Sequence, residues 1–283
     1  MSDPRDNDAE HGDAHNAAHG HAHDAEHGHA HGGGAADSAG TPWAGRHFEP
    51  NASKDDDGSA PERLIEALRR FASHELGESE VVDALRESRL LIPLVAHLGE
   101  AGLNEHGVVI DKTQELSIIT VAGPDGRNVM PVFTSVAAMS HWNPKARPVP
   151  AAGTRVALAA ASEQTELVVL DPTSDTEFVI RRPALWAIAQ SQQWTPSFRD
   201  EEVLDAFADA AAGESSVRSV ALAAGDPSSR LAGPELIVQL ALVDGLSKHE
   251  LDAVVSRMQD RWRASEVIAT RVDSMRVQLV SAS

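Results

Sequence analysis

The sequence contains no cysteine and no tyrosine, and only 4% of its residues are aromatic. The absence of cysteine excludes disulfides, thiolate nucleophiles and cysteine-ligated metal clusters. The absence of both residue types also shortens the list of side chains that could serve as a catalytic nucleophile or acid. The sequence has no basic patch with interleaved aromatic residues, so nothing in it favours a nucleic-acid-binding surface.

The sequence also lacks long apolar runs. No apolar stretch approaches the length of about 20 residues that a membrane-spanning helix needs. The first residues show no basic segment followed by an apolar one, so we expect no secretory signal. The formal net charge is −19 at pH 7, and such an acidic surface repels nucleic acid and anionic membranes. We therefore expect a soluble, cytoplasmic protein with neither nucleic acid nor membrane as a partner.

Histidine, in contrast, is concentrated at the start of the chain. We expect residues 1–40 to form a disordered tail, because Met1 is its only large apolar residue and it cannot bury enough surface to fold. Its imidazoles recur at spacings of two and four residues, which suits converging ligands for Zn²⁺, Ni²⁺ or Cu²⁺. The predicted metal ligands are His11, His15, His19, His21, His23, His27, His29 and His31.

Three interpretations of this tail stay open. It is a solvated low-complexity segment that binds metal only in vitro, a metal site with a physiological role, or a pH sensor. The pH sensor is considered because the imidazoles gain positive charge together below about pH 6.5. This charge would offset the negative charge of the eight acidic residues of the tail. We expect no required cofactor, with Zn, Ni or Cu as ligands of the tail under the second interpretation.

The rest of the chain predicts an α+β fold. We expect two small two-layer domains with mainly antiparallel sheets, the first over residues 41–192 and the second over residues 193–283. The second shows an α-β-β-α-β order of predicted elements. This order favours a ferredoxin-like, split βαβ arrangement.

Capping and turn signals give four local expectations. Ser59 is expected to cap the first helix, with Glu62 completing a capping box, and Ser197 to cap the first helix of the second domain. Pro93 places its strand at a sheet edge or at a bulge. The proline-rich segment 143–150 is expected to form a turn.

The segment Phe133-Thr134-Ser135 is the best candidate binding site in the body of the chain. A strand that runs into a capped helix start leaves free N–H groups, which could bind an anion or the carboxylate of a partner. Trp142, at the end of the same predicted helix, is the candidate ligand platform. The simpler interpretation is that Thr134 or Ser135 only caps the helix, while Phe133 and Trp142 belong to the core.

Motifs of common enzymes and metal sites are missing from the sequence. The segment 55–58 (DDDG) is similar to a calcium loop, but Leu64 stands where the twelfth position needs a glutamate. The His-Glu pairs that begin at His74 and His249 lack the second histidine of a zincin helix, and no GxSxG, P-loop or GxGxxG motif is found. We therefore expect no enzymatic activity.

Six short motifs follow one another along the body of the chain. They are Trp43-Ala44-Gly45-Arg46, Asp56-Asp57-Gly58-Ser59, Leu91-Ile92-Pro93-Leu94, Pro131-Val132-Phe133-Thr134-Ser135 followed by Trp142, Asp171-Pro172, and Val272-Asp273-Ser274. In this order they resemble the SseB family, named for an enhanced-serine-sensitivity phenotype. Residues 41–191 look like the family's N-terminal domain and residues 197–283 like its C-terminal region. The resemblance implies a fold and carries over no catalytic residue, and the histidine tail departs from the family's pattern.

The leading hypothesis is a non-enzymatic SseB-type protein that acts as a binding or regulatory module for an unknown protein partner. The competing hypothesis is a transition-metal buffer or delivery protein, whose tail collects Zn, Ni or Cu while its body docks on a recipient. A third hypothesis is an enzyme with an unrecognised pocket. Edge strands of the two predicted sheets would also permit a homo-oligomer.

Overall fold

The computed structural model describes residues 56–97, 102–103, 109–110 and 115–281. Within these ranges the helices are α1 (Glu62–Ala72), α2 (Glu78–Arg86), α3 (Val136–Trp142), α4 (Gly153–Ser162), α5 (Arg182–Ala189), α6 (Glu201–Ala211), α7 (Lys248–Arg263) and α8 (Glu266–Arg271). The strands are β1 (Arg89–His97), β2 (Gly102–Leu103), β3 (Val109–Ile110), β4 (Glu115–Ile118), β5 (Val121–Ala122), β6 (Asn128–Val132), β7 (Arg147–Ala152), β8 (Leu167–Leu170), β9 (Phe178–Arg181), β10 (Val217–Ala224), β11 (Leu236–Leu242) and β12 (Met275–Ser281). The predicted α+β class is confirmed. No described helix has the length and apolar character needed to cross a membrane.

Two larger sheets, besides the short pair β2-β3, organise the first half, by which we mean the described residues up to 192. In one antiparallel sheet β1 lies between β4 and β7, and in the other the strand order is β5-β6-β8-β9. Only β6 and β8 run parallel in the second sheet. A pair of backbone hydrogen bonds between Leu91 and Phe133 joins β1 to the end of β6. Most strand pairs are therefore antiparallel, as the sequence predicts.

The prediction that Pro93 lies at an edge or a bulge is wrong. β1 is the middle strand of its sheet, and Pro93 is paired with Pro148 of β7. Alternate residues of a strand direct their backbone groups to the same side, so the nitrogen of Pro93 faces the side on which Leu91 bonds Phe133. The pairing with β4 starts only at Leu94. On this side of β1, Pro93 lies between Leu91, which bonds Phe133, and Leu94, where the pairing with β4 begins. Proline is tolerated here because no backbone N–H is needed at this position.

The helix caps predicted at Ser59 and Ser197 are both wrong. α1 begins at Glu62 with Pro61 as its N-cap and no side-chain cap, so Ser59 does not cap it. Ser197 begins a short 3₁₀ turn, and Asp200 caps α6 by accepting hydrogen bonds from two backbone N–H groups. A carboxylate at this position is favoured because it interacts with the positive end of the helix dipole as well as with the free N–H groups.

The prediction that segment 143–150 is a turn is wrong for its second part, which belongs to a strand. Residues 147–152 form β7, which pairs along β1. Its prolines, Pro148 and Pro150, would be unfavourable in the middle of a sheet because they donate no hydrogen bond. They are tolerated because β7 is the outer strand of its sheet.

The second half, which begins at residue 193, follows the predicted α-β-β-α-β order, but the ferredoxin-like detail is not confirmed. The strand order is β10-β11-β12, with β10 antiparallel and β12 parallel to β11. A split βαβ unit has another strand between its two parallel strands. Here β11 and β12 are direct neighbours, and α7 and α8 connect them along the chain. The order of elements was predictable, but the choice of neighbours was not.

Buried apolar side chains form two main clusters. One is drawn from residues 64–188 and the other from residues 203–272, where the rings of Phe207 and Trp262 lie 5.4 Å apart. A smaller cluster combines Leu231 of the second half with side chains of the sheet that contains β6, β8 and β9. All described residues belong to one compact unit, Ala52–Ser283. The predicted domain boundary after residue 192 falls between the main clusters in sequence and stays a prediction.

Candidate functional site

The predicted binding segment Phe133-Thr134-Ser135 lies where β6 ends and α3 begins. Phe133 is fully buried. The N–H of Thr134 donates to Oδ1 of Asp171 at 2.8 Å, and the hydroxyl of Thr134 donates to Oδ2 of the same carboxylate at 2.7 Å. Thr134 and Asp171 are both buried. The polar groups of Thr134 therefore already have a partner inside the chain.

The first turn of α3 is likewise supplied with internal partners. Ser135 is the N-cap, and its hydroxyl oxygen accepts a hydrogen bond from the N–H of Ala138 at 3.1 Å. The N–H of Val136 donates to the carbonyl oxygen of Gly58 at 3.0 Å. The capping role predicted for Ser135 is confirmed. Ligand binding by this segment stays a prediction, and these donors give it no support.

Trp142 closes the other end of α3. Its ring lies 5.3 Å from the ring of Phe133, and both belong to a small apolar cluster with Leu91 and Met139. Trp142 is only partly buried. The structure therefore brings Phe133 and Trp142 together as packing partners beside the polar groups of Thr134.

The predicted metal ligands lie outside the described residues; they are His11, His15, His19, His21, His23, His27, His29 and His31. Within residues 56–97, 102–103, 109–110 and 115–281, no group of three or more His, Asp or Glu side chains is arranged to hold a metal ion. A transition-metal site on the tail therefore stays a prediction.

A largely buried network of charged side chains, of which Glu78 and Arg127 stay partly exposed, lies where the two halves meet, and we call it the seam network. Its members come from α2, from the turn after β5, from β9 and from loops that precede β11 and β12. They are Glu78, Arg127, Arg181, Asp226, Glu235 and Asp273.

Arg181, at the end of β9, is the centre of the seam network. Its Nη2 donates to Oδ2 of Asp226 at 2.7 Å and to the carbonyl oxygen of Gly233 at 2.9 Å. Its Nη1 donates to Oδ2 of Asp273 at 3.1 Å and to the hydroxyl of Ser274 at 3.2 Å. The side chains of Arg181, Asp226 and Asp273 are 8%, 2% and 1% exposed. One guanidinium of the first half thus binds three separate segments of the second half.

Arg127 makes a second attachment to Asp273. Its Nη1 and Nη2 donate to the two carboxylate oxygens at 2.9 and 3.0 Å, which is a bidentate pair. Burial alone would raise the pKa of Asp273, but the hydrogen bonds and charges of Arg127 and Arg181 outweigh it and lower the pKa. The same bond to Asp273 raises the pKa of Arg127. Asp273 is therefore a carboxylate shared between two arginines.

Two carboxyl groups of the seam network have no arginine in hydrogen-bond contact among the described residues. Oε1 of Glu78 accepts a hydrogen bond from the hydroxyl of Ser229 at 3.0 Å. Oε2 of Glu235 accepts one from the N–H of Asp273 at 2.5 Å, whereas its Oε1 is buried without a well-formed hydrogen bond. Burial raises the pKa of Glu78 to about 7, against the lowering effect of Ser229. Burial also raises the pKa of Glu235.

Arg181, Asp226 and Glu235 are not among the site residues predicted from the sequence. A signal for Arg181 exists, because it directly follows the apolar triplet 178–180 of a strand that is buried along its length. A charged residue in such a position must find a buried partner. Asp273 belongs to one of the quoted motifs, but nothing in that motif indicates which residues it binds.

A shallow groove of about 470 Å³ lies between α4 and α5. Ala157 and Ala161, one helical turn apart on α4, line one side, and Leu185 and Trp186 of α5 line the other. Trp186 is 45% exposed, although α5 is otherwise largely buried. The small side chains of α4 leave the space beside the indole open.

Arg182 links this groove to the second half of the chain. Its guanidinium lies over the ring of Trp186, 5.0 Å from the ring centre. Its Nη2 also donates to the carbonyl oxygens of Ala269 at 3.0 Å and Val272 at 2.7 Å, around the end of α8. The exposed indole is thus held against a cation that contacts both halves.

Comparison with known proteins gives one match. Residues 64–187 match the family model described as the SseB protein N-terminal domain. This range contains most of α1, the strands around Phe133 and Asp171, and the residues that line the groove between α4 and α5. No curated protein and no solved structure shows a significant match to the chain.

Proposed function

Because the chain belongs to the SseB family through residues 64–187, we propose that it is a non-enzymatic binding module whose protein partner docks on the groove between α4 and α5. The observation that carries this proposal is Trp186, which is 45% exposed on a helix that is otherwise largely buried. Tryptophan and arginine are the residues that most often dominate the binding energy of protein interfaces. Trp186 and Arg182 lie in contact at this groove.

Two further features of the groove suit a docking role: the side chain of Arg182 is held in place, and there is open space beside Trp186. The hydrogen bonds from Arg182 to the carbonyl groups of Ala269 and Val272 fix the guanidinium that covers one part of the indole. A surface that is already ordered loses little conformational entropy on binding. We expect the partner to insert an apolar side chain beside Trp186, in the space that Ala157 and Ala161 leave open.

The proposal that the chain is not an enzyme is supported by the polar side chains of the candidate sites, which bind partners inside the chain. The hydroxyl of Thr134 binds Asp171, the hydroxyl of Ser135 caps α3, and Arg181 binds Asp226 and Asp273. These interactions account for the positions of these side chains by internal stabilisation. A direct test is to incubate the full chain with a metabolite extract and to follow its composition by mass spectrometry. Conversion that requires the protein would contradict the proposal.

The docking part is tested by affinity purification of the full chain from its native cells, with quantitative mass spectrometry of the bound proteins. Three forms are compared with the wild type: Trp186→Ala, Leu204→Ala and the chain without residues 1–40. Leu204 is the matched control, since it is 41% exposed on α6 and does not line the groove.

We expect one or more proteins to be retained by the wild type, by Leu204→Ala and by the shortened chain. Trp186→Ala should lower their recovery by about 30-fold, which corresponds to the loss of about 2 kcal/mol at a central interface residue. Equal recovery with Trp186→Ala and with the wild type would contradict the proposal.

The histidine-rich tail favours a second candidate function, the buffering or delivery of Zn²⁺, Ni²⁺ or Cu²⁺. It is supported by the eight histidines at regular spacing within the first 31 residues. The test is a calorimetric titration of Zn²⁺ and Ni²⁺ at neutral pH, with imidazole as competitor, of the full chain and of a chain that starts at Gly40. Saturable binding of fixed stoichiometry that the short chain lacks would support this function. Weak binding without saturation would reject it.

A further inference from the structure

The seam network contains more carboxyl groups than guanidinium groups can neutralise. Its two arginines are used by ion pairs with Asp226 and Asp273. In the described part of the chain no ion pair reaches the carboxyl groups of Glu78 and Glu235, although both lie within the same contact zone. A buried carboxylate without a cation partner is costly, and protonation removes that cost.

Glu78 faces the second half from the first residue of α2. Its one hydrogen-bond partner in the described structure is the hydroxyl of Ser229. The charged groups that act on it are Glu235 and Asp226, which repel its charged form, and Arg181, which attracts it. Glu78 thus contributes a hydrogen bond across the joint and, when it is charged, a repulsion across the same joint.

Glu235 directly precedes the first residue of β11 and is 7% exposed. It is repelled by Asp273 and attracted by Arg181. Its Oε1 and the hydroxyl of Ser197 are both buried without a well-formed hydrogen bond, although the hydroxyl of Ser197, like the N–H of Asp273, acts on this carboxyl group and lowers its pKa against the effect of burial. A neutral carboxyl group can donate a hydrogen bond as well as accept one, whereas a carboxylate can only accept.

We infer that Glu78 and Glu235 make the joint between the two halves sensitive to pH, so that it tightens when these carboxyl groups take up protons and loosens when they are charged. The geometry supports this because both groups lie where residues of the two halves meet and neither is neutralised by an arginine. Burial raises the pKa of Glu78 from its ordinary 4.5 to about 7. Its protonation therefore changes near neutral pH.

The direction of the effect follows from proton linkage. Between its ordinary pKa of 4.5 and about 7, Glu78 is protonated in the closed joint and charged when the joint opens to water. The closed joint binds more protons than the open one across this interval, so the closed joint is favoured as the pH falls. Above the raised pKa, Glu78 is charged in both states and its contribution is lost.

The test is hydrogen–deuterium exchange of the full chain at pH 6 and pH 8, corrected for the intrinsic rates. The readout is the protection of residues 225–235, with the N–H of Val179 as a second probe, because it donates to the carbonyl oxygen of Ser229 across the joint. The variants are Glu78→Gln and Glu235→Gln, measured separately so that one remains informative if the other fails to fold. The matched control is Glu163→Gln, at an exposed carboxyl group outside the seam network.

For a pKa of about 7, we expect protection of the wild type to be about tenfold lower at pH 8 than at pH 6. Glu163→Gln should show the same change. Glu78→Gln should remove most of it and keep the joint protected at pH 8, because glutamine is neutral at both values. The inference is overturned if the wild type shows equal protection at both pH values, or if the glutamine variants keep the full pH dependence.

Discussion

Replacing Arg181 with methionine should remove a large part of the stability of the chain. Methionine preserves much of the apolar length of the side chain, but it removes the four hydrogen bonds that Arg181 donates. Asp226, whose side chain is 2% exposed, then loses its ion-pair partner, while Asp273 keeps Arg127. Removal of one partner from a buried ion pair costs about 3–5 kcal/mol. Because one of the two carboxylates keeps a cation, we expect a loss of about 3 kcal/mol in the free energy of unfolding.

The assay is urea unfolding of the full chain at pH 7, followed by circular dichroism. Arg69→Met is the matched control, since Arg69 pairs with Glu66 in solvent and the midpoint should not move. In a double variant with Asp226→Asn, the loss should be smaller than the sum of the single losses, because the second change removes the uncompensated charge. A loss below about 1 kcal/mol for Arg181→Met, the size of a solvent-exposed pair, would refute the assignment of Arg181 as the centre of the seam network.

Three further predictions concern pH, the buried hydroxyl of Thr134 and the core. The free energy of unfolding should fall by about 2–3 kcal/mol between pH 5 and pH 8, because the raised pKa of Glu78 lets the folded chain bind a proton that it loses over this interval. In urea titrations at the two pH values, Glu78→Gln should remove most of this fall. Below pH 4 the free energy of unfolding should fall again. The pKa of Asp273 is lowered in the folded chain, so the unfolded chain takes up a proton at this carboxyl group more readily than the folded chain does. Thr134→Val should cost about 1–3 kcal/mol in thermal unfolding, since Asp171 loses a buried donor; a neutral effect would contradict the role of that bond. Phe133→Ala should cost about 3–5 kcal/mol, clearly more than Trp142→Ala, because Phe133 is fully buried.

Elements with strong local signals could be predicted from the sequence. α4 lies on an alanine-rich segment, a composition that favours a helix, and β8 and β9 form a hairpin whose turn contains Asp171 and Pro172, residue types that favour turns. β7 was missed because its prolines are typical of a turn, and only its pairing with β1 makes the segment a strand. The central position of β1 and the direct pairing of β11 with β12 depend in the same way on contacts between distant segments.

The seam network could not be predicted either, because it also depends on contacts between segments that are distant in the sequence. Arg181 and its partner Asp273 are 92 residues apart, and neither stands in a motif that indicates the other. Thr134 and Asp171 both occur in the SseB-like motifs, but they are 37 positions apart, and nothing in either motif indicates that the two residues form hydrogen bonds with each other. Trp186 belongs to a helix whose composition is apolar on all sides, so the sequence does not show which residue stays exposed.

The most direct test of the proposed function places a photo-reactive amino acid at the position of Trp186 in the full chain, in its native cells. The same replacement of Leu204, on α6 and 41% exposed, serves as the control. After illumination, the proposed function predicts a discrete adduct with one or a few proteins at position 186 and none of these at position 204. No adduct at position 186, or the same pattern at both positions, would contradict docking on the groove between α4 and α5.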